Sequence, residues 1–372
     1  MKSALIALLA FCLCLPLMGD DAAKKLFEET KAKAEKGDAD AQNQLGLMYN
    51  GFLEVVKDDK EAVKWFRKAA GQGLAGAQYH LGIMYHNGEG VPQNFKEALK
   101  WYLKAAEKGE ENAQYILGQL YFNGEGVGQD YKEAAKWFRK VAEKGLPEPQ
   151  YYLGEMYRKG QGVLQNDEEA VKWYRKVVES GRIYEGFVIE EAKHRLGMMY
   201  YYGRGEAKDF KEAAKWFRKV ADRGHAQAQY DLGVMYAKGL GVEKDEEEAV
   251  KWCEKAAEQG IANAQITVGI MYDYGKGVLE DDKVAVKWYR KAAEQGLADA
   301  QYNLGVMYGS GDGVLQDYVN SYAWTDIAGA NGHDIKKFKS EFLEKKMTPE
   351  QIAKAQELYK EMVKKNPKLI NE

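Results

Sequence analysis

The sequence predicts an all-α repeat protein: a solenoid of eight helix-turn-helix units with a helical cap at each end. Three observations predict it. All eight tryptophans lie in one phase, at Trp65, Trp101, Trp137, Trp173, Trp216, Trp252, Trp288 and Trp324, with gaps of 36, 36, 36, 43, 36, 36 and 36. A glycine stands nineteen residues before each, at Gly46, Gly82, Gly118, Gly154, Gly197, Gly233, Gly269 and Gly305. An Asp or Asn stands seven residues before each, at Asp58, Asn94, Asp130, Asn166, Asp209, Asp245, Asp281 and Asp317. Such a period marks supersecondary units that cannot bury an apolar face alone and therefore stack.

Residues 1–19 differ from the rest. Lys2 precedes an uncharged run from Ser3 to Gly19 with an apolar core from Ala4 to Leu17, the pattern of a bacterial-type secretory signal peptide cleaved near Gly19. The core is short for a bilayer span, which takes roughly 17–25 residues, and Asp20 and Asp21 follow at once. Phe11 and Leu13 precede Cys12 and Cys14, where a lipidated cysteine takes a small residue, so no lipid anchor is expected. The expectation is an exported protein, periplasmic or secreted, with no stable membrane insertion after signal removal. Cys253 alone then remains, and one cysteine makes no internal disulfide.

Residues 20–40 read as an N-terminal capping helix, ending at Gly37 in phase with Gly73. The repeats occupy 41–333. In each, a first helix such as Ala77 to Tyr85 places Ala77, Leu81, Met84 and Tyr85 on one face. A Gly-x-Gly turn follows, such as Gly124-Glu125-Gly126, and then the Asp or Asn as N-cap of a second helix. In six units a glutamate three residues after the cap suggests a capping box, as Glu97 follows Asn94. The second helix, as in Tyr131 to Lys144, buries Ala134, Trp137, Phe138, Val141 and Ala142 and ends at a glycine such as Gly145. Residues 334–372 read as C-terminal capping helices: a charged helix over 334–346, then one opened by the box Thr348-Pro349-Glu350-Gln351 and running to about Lys364.

The pattern A-x-x-x-L-G-x-M-Y, G-x-G-V, Asp or Asn, E-A-x-K-W and K-A-A-x-x-G resembles that of Sel-one-like repeats (SLR), a subclass of the tetratricopeptide-like helical repeats. The first unit has Phe52 and Glu54 in place of the paired glycines, Pro149 replaces an alanine, and Cys253 replaces the aromatic beside Trp252. The resemblance implies a right-handed superhelix that binds other proteins as an adaptor.

Composition narrows the partners. With 54 Lys and Arg against 57 Asp and Glu there is no basic excess for a phosphate backbone, so no nucleic acid is expected. With 45% hydrophobic and 30% charged residues the chain is globular. No metal or cofactor is expected: the recurring methionines, Met48 to Met307, share one core phase, and the Gly-x-Gly turns are backbone turns whose following aspartates repel anions. His80 and His86 lie about 240° apart on a helix and cannot share a zinc, and the chain shows no clustered histidines.

Some cysteine-rich secreted relatives are described as penicillin-binding proteins or β-lactamases. The alternative function is therefore a cell-wall or β-lactam-processing hydrolase. Yet the paired cysteines are missing, and none of Ser180, Ser310, Ser321 and Ser340 begins an S-x-x-K. The reading is a non-enzymatic, monomeric scaffold for a protein or peptide.

The residues two before and four after each landmark glycine diverge most between units and are expected on the concave face of the superhelix. Units three to five carry Phe122, Tyr152, Arg158, Arg195, Tyr201 and the adjacent Tyr202 there, types that interfaces favour. The 43-residue gap adds seven residues between Gly181 and Ala192. Two readings stand open: a first helix longer by two turns, or a protruding loop whose Tyr184 and Phe187 reach a partner.

Overall fold

The computed structural model describes residues 20–52, 57–179 and 186–370, which hold nineteen helices and, among the described residues, no strand. The chain divides into two units, the boundary falling between Arg182 and Ile183. The first contains α1 (Asp20–Glu35), α2 (Ala39–Leu47), α3 (Asp59–Gly71), α4 (Ala75–Asn87), α5 (Phe95–Glu107), α6 (Glu111–Asn123), α7 (Tyr131–Ala142), α8 (Pro147–Lys159) and α9 (Asp167–Glu179). The second contains α10 (Phe187–Tyr202), α11 (Phe210–Ala221), α12 (Ala226–Lys238), α13 (Glu246–Glu258), α14 (Ala262–Asp273), α15 (Asp282–Ala293), α16 (Ala298–Ser310), α17 (Tyr318–Ala330), α18 (Lys336–Phe338) and α19 (Pro349–Lys365). After α1 the helices pair, α2 with α3 through α16 with α17, as eight helix-turn-helix repeats.

Within each unit a core layer joins the second helix of one repeat to the first helix and the tryptophan of the next. In the first unit Tyr102 and Ala105 of α5 pack with Leu117 and Leu120 of α6 and Trp137 of α7. In the second unit Phe217 and Val220 of α11 pack with Leu232 and Met235 of α12 and Trp252 of α13. The tryptophan therefore bridges layers, and the recurring methionines are core residues: Met84, Met156 and Met235 are fully buried. The landmark glycines allow close helix contact. A Cβ on Gly118 would lie 2.5 Å from Phe138 Cδ1, so the ring rests on bare backbone.

The eight Asp and Asn caps accept as expected: Asp130 Oδ1 takes the Lys132 and Glu133 N–H groups at 2.9 and 3.0 Å, and Asn166 Oδ1 takes that of Glu169 at 3.0 Å. The capping box is not formed in these six units. The glutamates reach forward one turn instead, as Glu97 to Lys100 and Glu133 to Lys136. The reason is that the cap residue's own N–H is already taken: Asp130 N donates to Tyr121 O of the preceding helix at 2.8 Å, and Asp58 N likewise to Tyr49 O at 2.8 Å. Nothing is left for the glutamate to bond.

The second-helix cations are also better placed than a solvated face requires. Lys140 Nζ sits 4.2 Å from the centre of the Trp137 ring, and six other repeats put a lysine over their tryptophan. Arg139 donates to Tyr157 Oη at 2.7 Å.

The ends are closed by apolar contacts. Leu26, Phe27 and Ala34 of α1 pack on Ala41, Leu45 and Met48. At the other end Tyr359 and Met362 of α19, with Leu369 beyond it, cover the last core layer, and Asn366 Nδ2 donates to Glu294 O at 3.0 Å. The Thr348 and Gln351 capping box opens α19. Residues 334–346 are not one helix: α18 is a single short turn, followed by a π-turn over Lys339–Leu343 that brings Phe338, Phe342 and Leu343 against Tyr318 and Tyr322.

Candidate interaction face

First helices carry the divergent positions, because stacking fixes the other faces of both helices. In the first unit the structure brings Phe122 and Tyr152 together. Their rings are edge to face at 5.5 Å, and Tyr152 stacks on Phe138 at 4.8 Å. Both are half-buried. Arg158 lies one and a half turns further along α8, and it is not a free cation. Its Nε and Nη2 donate to the two carboxylate oxygens of Glu155 at 3.1 and 2.7 Å. Glu155 is nearly buried and also accepts from Tyr174 Oη at 2.7 Å. Burial, then Glu155, pushes the Tyr174 phenol up from its ordinary value.

In the second unit Tyr201 and Tyr202 meet at 5.0 Å, and Tyr201 is edge to face with Phe210 at 5.2 Å. Tyr202 is 54% exposed and Phe187 is 78% exposed. Tyr201 and Tyr202 line a small cleft of about 150 Å³ with Tyr230 and Asp231. Arg195 Nη2 lies 3.8 Å from Glu191 Oε2. The inserted residues enter the helix in part: α10 starts at Phe187 and runs sixteen residues, against thirteen in α12. Tyr184 lies outside the described residues.

Sequence reasoning missed two clusters. In the first unit a cleft of about 460 Å³ between α4 and α6 is lined by His86, Asn87, Ile116, Asn123 and Glu125, with His86 Nε2 3.4 Å from Glu125 Oε1. In the second, His194 stacks on His225 at 4.8 Å, against the expectation that no histidines cluster. They are 31 positions apart in the chain, and only stacking of successive repeats makes them neighbours. Glu191, beside His225 at 3.0 Å, is held below the usual carboxylate range by that hydrogen bond and by the positive groups around it. Ser321, weighed as a nucleophile, is fully buried and donates to Gly305 O at 2.6 Å.

Helix pairs that stack within each unit, with apolar contacts covering both chain ends, define the α-solenoid fold of the repeat-scaffold class. The chain belongs to the Sel1 repeat family, whose repeat matches residues 39–74, 75–110, 112–146, 148–181, 190–225, 226–261, 262–297 and 298–333. Among solved structures it is similar to a Sel1 repeat protein from Oxalobacter formigenes, with 32% identity over 88% of this chain and 92% of that one and a TM-score of 0.69. It is also similar to a protective antigen present in uropathogenic Escherichia coli strains and displaying an SLR fold, with 32% identity over 92% and 96% of the two chains and a TM-score of 0.53. No curated protein matches at a significant level. The family typically provides protein-interaction scaffolds. Among the described residues, no helix is long and apolar enough to cross a membrane.

Proposed function

We propose that this protein is an exported scaffold that holds a protein or peptide partner on the concave face of its superhelix and catalyses no reaction. The observation that carries the reading is the division of labour between repeats. Recurring Trp, Gly, Met and Asp residues are consumed by stacking and capping, while first-helix residues that change from repeat to repeat keep aromatic surface in solvent contact. Half-exposed aromatic residues beside fixed charges are what protein interfaces select. The signal-like segment 1–19 supports export, and so does the description of the E. coli relative as an antigen, since antibodies must reach it.

The test is affinity capture from the native host with the mature chain as bait. Tyr202→Ser with Phe187→Ser should lose the partner while the melting temperature stays within about 2 °C, because these exposed side chains contribute little to the core. Arg195→Glu should also weaken capture. Arg158→Glu is the poorer probe, since it strips buried Glu155 of its cation. Capture unchanged by Y202S/F187S and by R195E would refute the face. A culture fractionation that leaves the full-length chain in the cytoplasm would refute export.

A further inference from the structure

Repeat five departs from its neighbours at His194 and His225, and in space both meet Glu191. Glu191 and His194 stand one turn apart on α10, and His225 precedes α12. One donor atom from each lies within 4.8 Å of the other two. One carboxylate and two imidazoles suit a zinc-class divalent ion and leave a fourth position open. Zinc ligands at about 2.0–2.2 Å in a tetrahedron are roughly 3.3 Å apart. Side-chain movement alone can close the difference.

The other repeats show what the fold needs at these places. At the position of His194, three residues before the landmark glycine, stand Tyr79, Tyr115, Tyr151, Tyr230 and Tyr302. At the position of His225 stand Leu74, Leu146, Ile261 and Leu297, which cap their helices with no side-chain hydrogen bond. Stacking therefore requires histidine at neither. Repeat eight supplies an internal contrast: His333 and Asp299 pair at 2.9 Å as His225 and Glu191 do, but Tyr302 stacks on His333 where the second imidazole would be.

The hydrogen bonds prepare His194 for an ion. Its Nε2 faces Asp231 Oδ2 at 2.7 Å, and a carboxylate accepts, so the proton sits on Nε2 and the lone pair on Nδ1. His194 is only 3% exposed, and Nδ1 is buried with no hydrogen-bond partner. A buried acceptor left unpaired is costly, and a carboxylate holding the far nitrogen is the usual support of a metal-binding histidine. His225 uses both nitrogens in the metal-free chain: Nδ1 accepts the Ala228 N–H at 3.1 Å and Nε2–H donates to Glu191 Oε1. An ion at Nε2 displaces that proton, the ring takes the Nδ1–H tautomer, and the cap bond is given up. The leucine-capped repeats do without that bond already. Arg195 is the opposing charge here, next to Glu191 Oε2 at 3.8 Å, which leaves Oε1 for the ion.

The geometry points to a binding site for one zinc-class divalent ion formed by Glu191, His194 and His225, with Asp231 as a positioning residue, clamping the first helices of repeats five and six together. The test uses the full mature chain without a histidine tag, stripped with a chelator and titrated with Zn²⁺ against a chromophoric competitor, with Co²⁺ as spectroscopic probe. One equivalent of zinc, a four-coordinate cobalt spectrum and a zinc-dependent rise in melting temperature are expected. His225→Leu and His194→Tyr, both borrowed from other repeats, should each weaken zinc binding by about 100-fold, and Asp231→Asn by about 10–100-fold, the usual effect of removing such a support. Circular dichroism in chelator checks that the variants fold; should either histidine variant not fold, Glu191→Gln takes its place. No stoichiometric uptake at micromolar zinc, or uptake unchanged in the variants, would overturn the site.

Discussion

Substituting one landmark glycine by alanine tests the stacking account directly. A Cβ on Gly118 would stand 2.5 Å from both Cδ1 and Cε1 of Phe138, where ordinary carbon contacts are about 3.5–4.0 Å. The ring must retreat by about 1 Å, and it has little room, being fully buried and stacked on Tyr152 at 4.8 Å. Overpacking a tight core costs about 1–3 kcal/mol, and this site belongs near the upper end. Alanine returns up to about 1 kcal/mol through its better helix propensity. Gly118→Ala should therefore destabilise the chain by about 2 kcal/mol net. Gly71 is the matched control. It too is helical, but nothing lies within 4 Å of the place an alanine methyl would take, so Gly71→Ala should stabilise by about 0.5–1 kcal/mol. Urea unfolding followed by far-UV circular dichroism measures both. Shortening the opposing ring, as Phe138→Leu in the Gly118→Ala background, should recover part of the loss, because residues in contact are not additive. If Gly118→Ala proves as stable as the parent, the glycine is not there for ring contact and the reasoning fails.

Three further outcomes are expected. Trp137→Ala should cost about 3–5 kcal/mol in thermal or urea unfolding, since the ring bridges two core layers and neighbouring repeats will melt with it. Asp130→Ala should cost about 1 kcal/mol by loss of two cap hydrogen bonds, measured the same way, while Asp130→Asn should cost much less. Burial holds the His80 imidazole down at about 4, below its unfolded value near 6.5, so the unfolded chain takes up a proton first as pH falls. The sign is thus a loss of stability between about pH 6.5 and pH 4, of about 3 kcal/mol, and His80→Gln should flatten that part of the stability–pH curve; a slope unchanged by the substitution would refute the assignment.

The tryptophans, glycines and caps were legible because each repeats, and a side chain that recurs in eight contexts is reporting a demand of the fold. The glutamates after the caps show the limit of local pattern. Their spacing suggests a capping box, but the Tyr121 carbonyl that occupies the Asp130 N–H belongs to another helix, and no spacing within one helix reveals it. The interaction face was read only in composition. That Phe122 touches Tyr152, and that Glu155 accepts from Tyr174, depends on which side chains the packed helices bring within reach.

By itself the sequence determined the repeat length, the two-helix unit and the residues spent on stacking, because backbone propensity, capping and apolar periodicity are short-range and are written once per repeat. Tertiary structure decided which divergent residues of successive repeats meet: Phe122 with Tyr152, and His225 with Glu191 and His194. Contacts between successive repeats arise from helix packing across about thirty positions of chain, and packing distance, unlike periodicity, leaves no mark on the order of the residues.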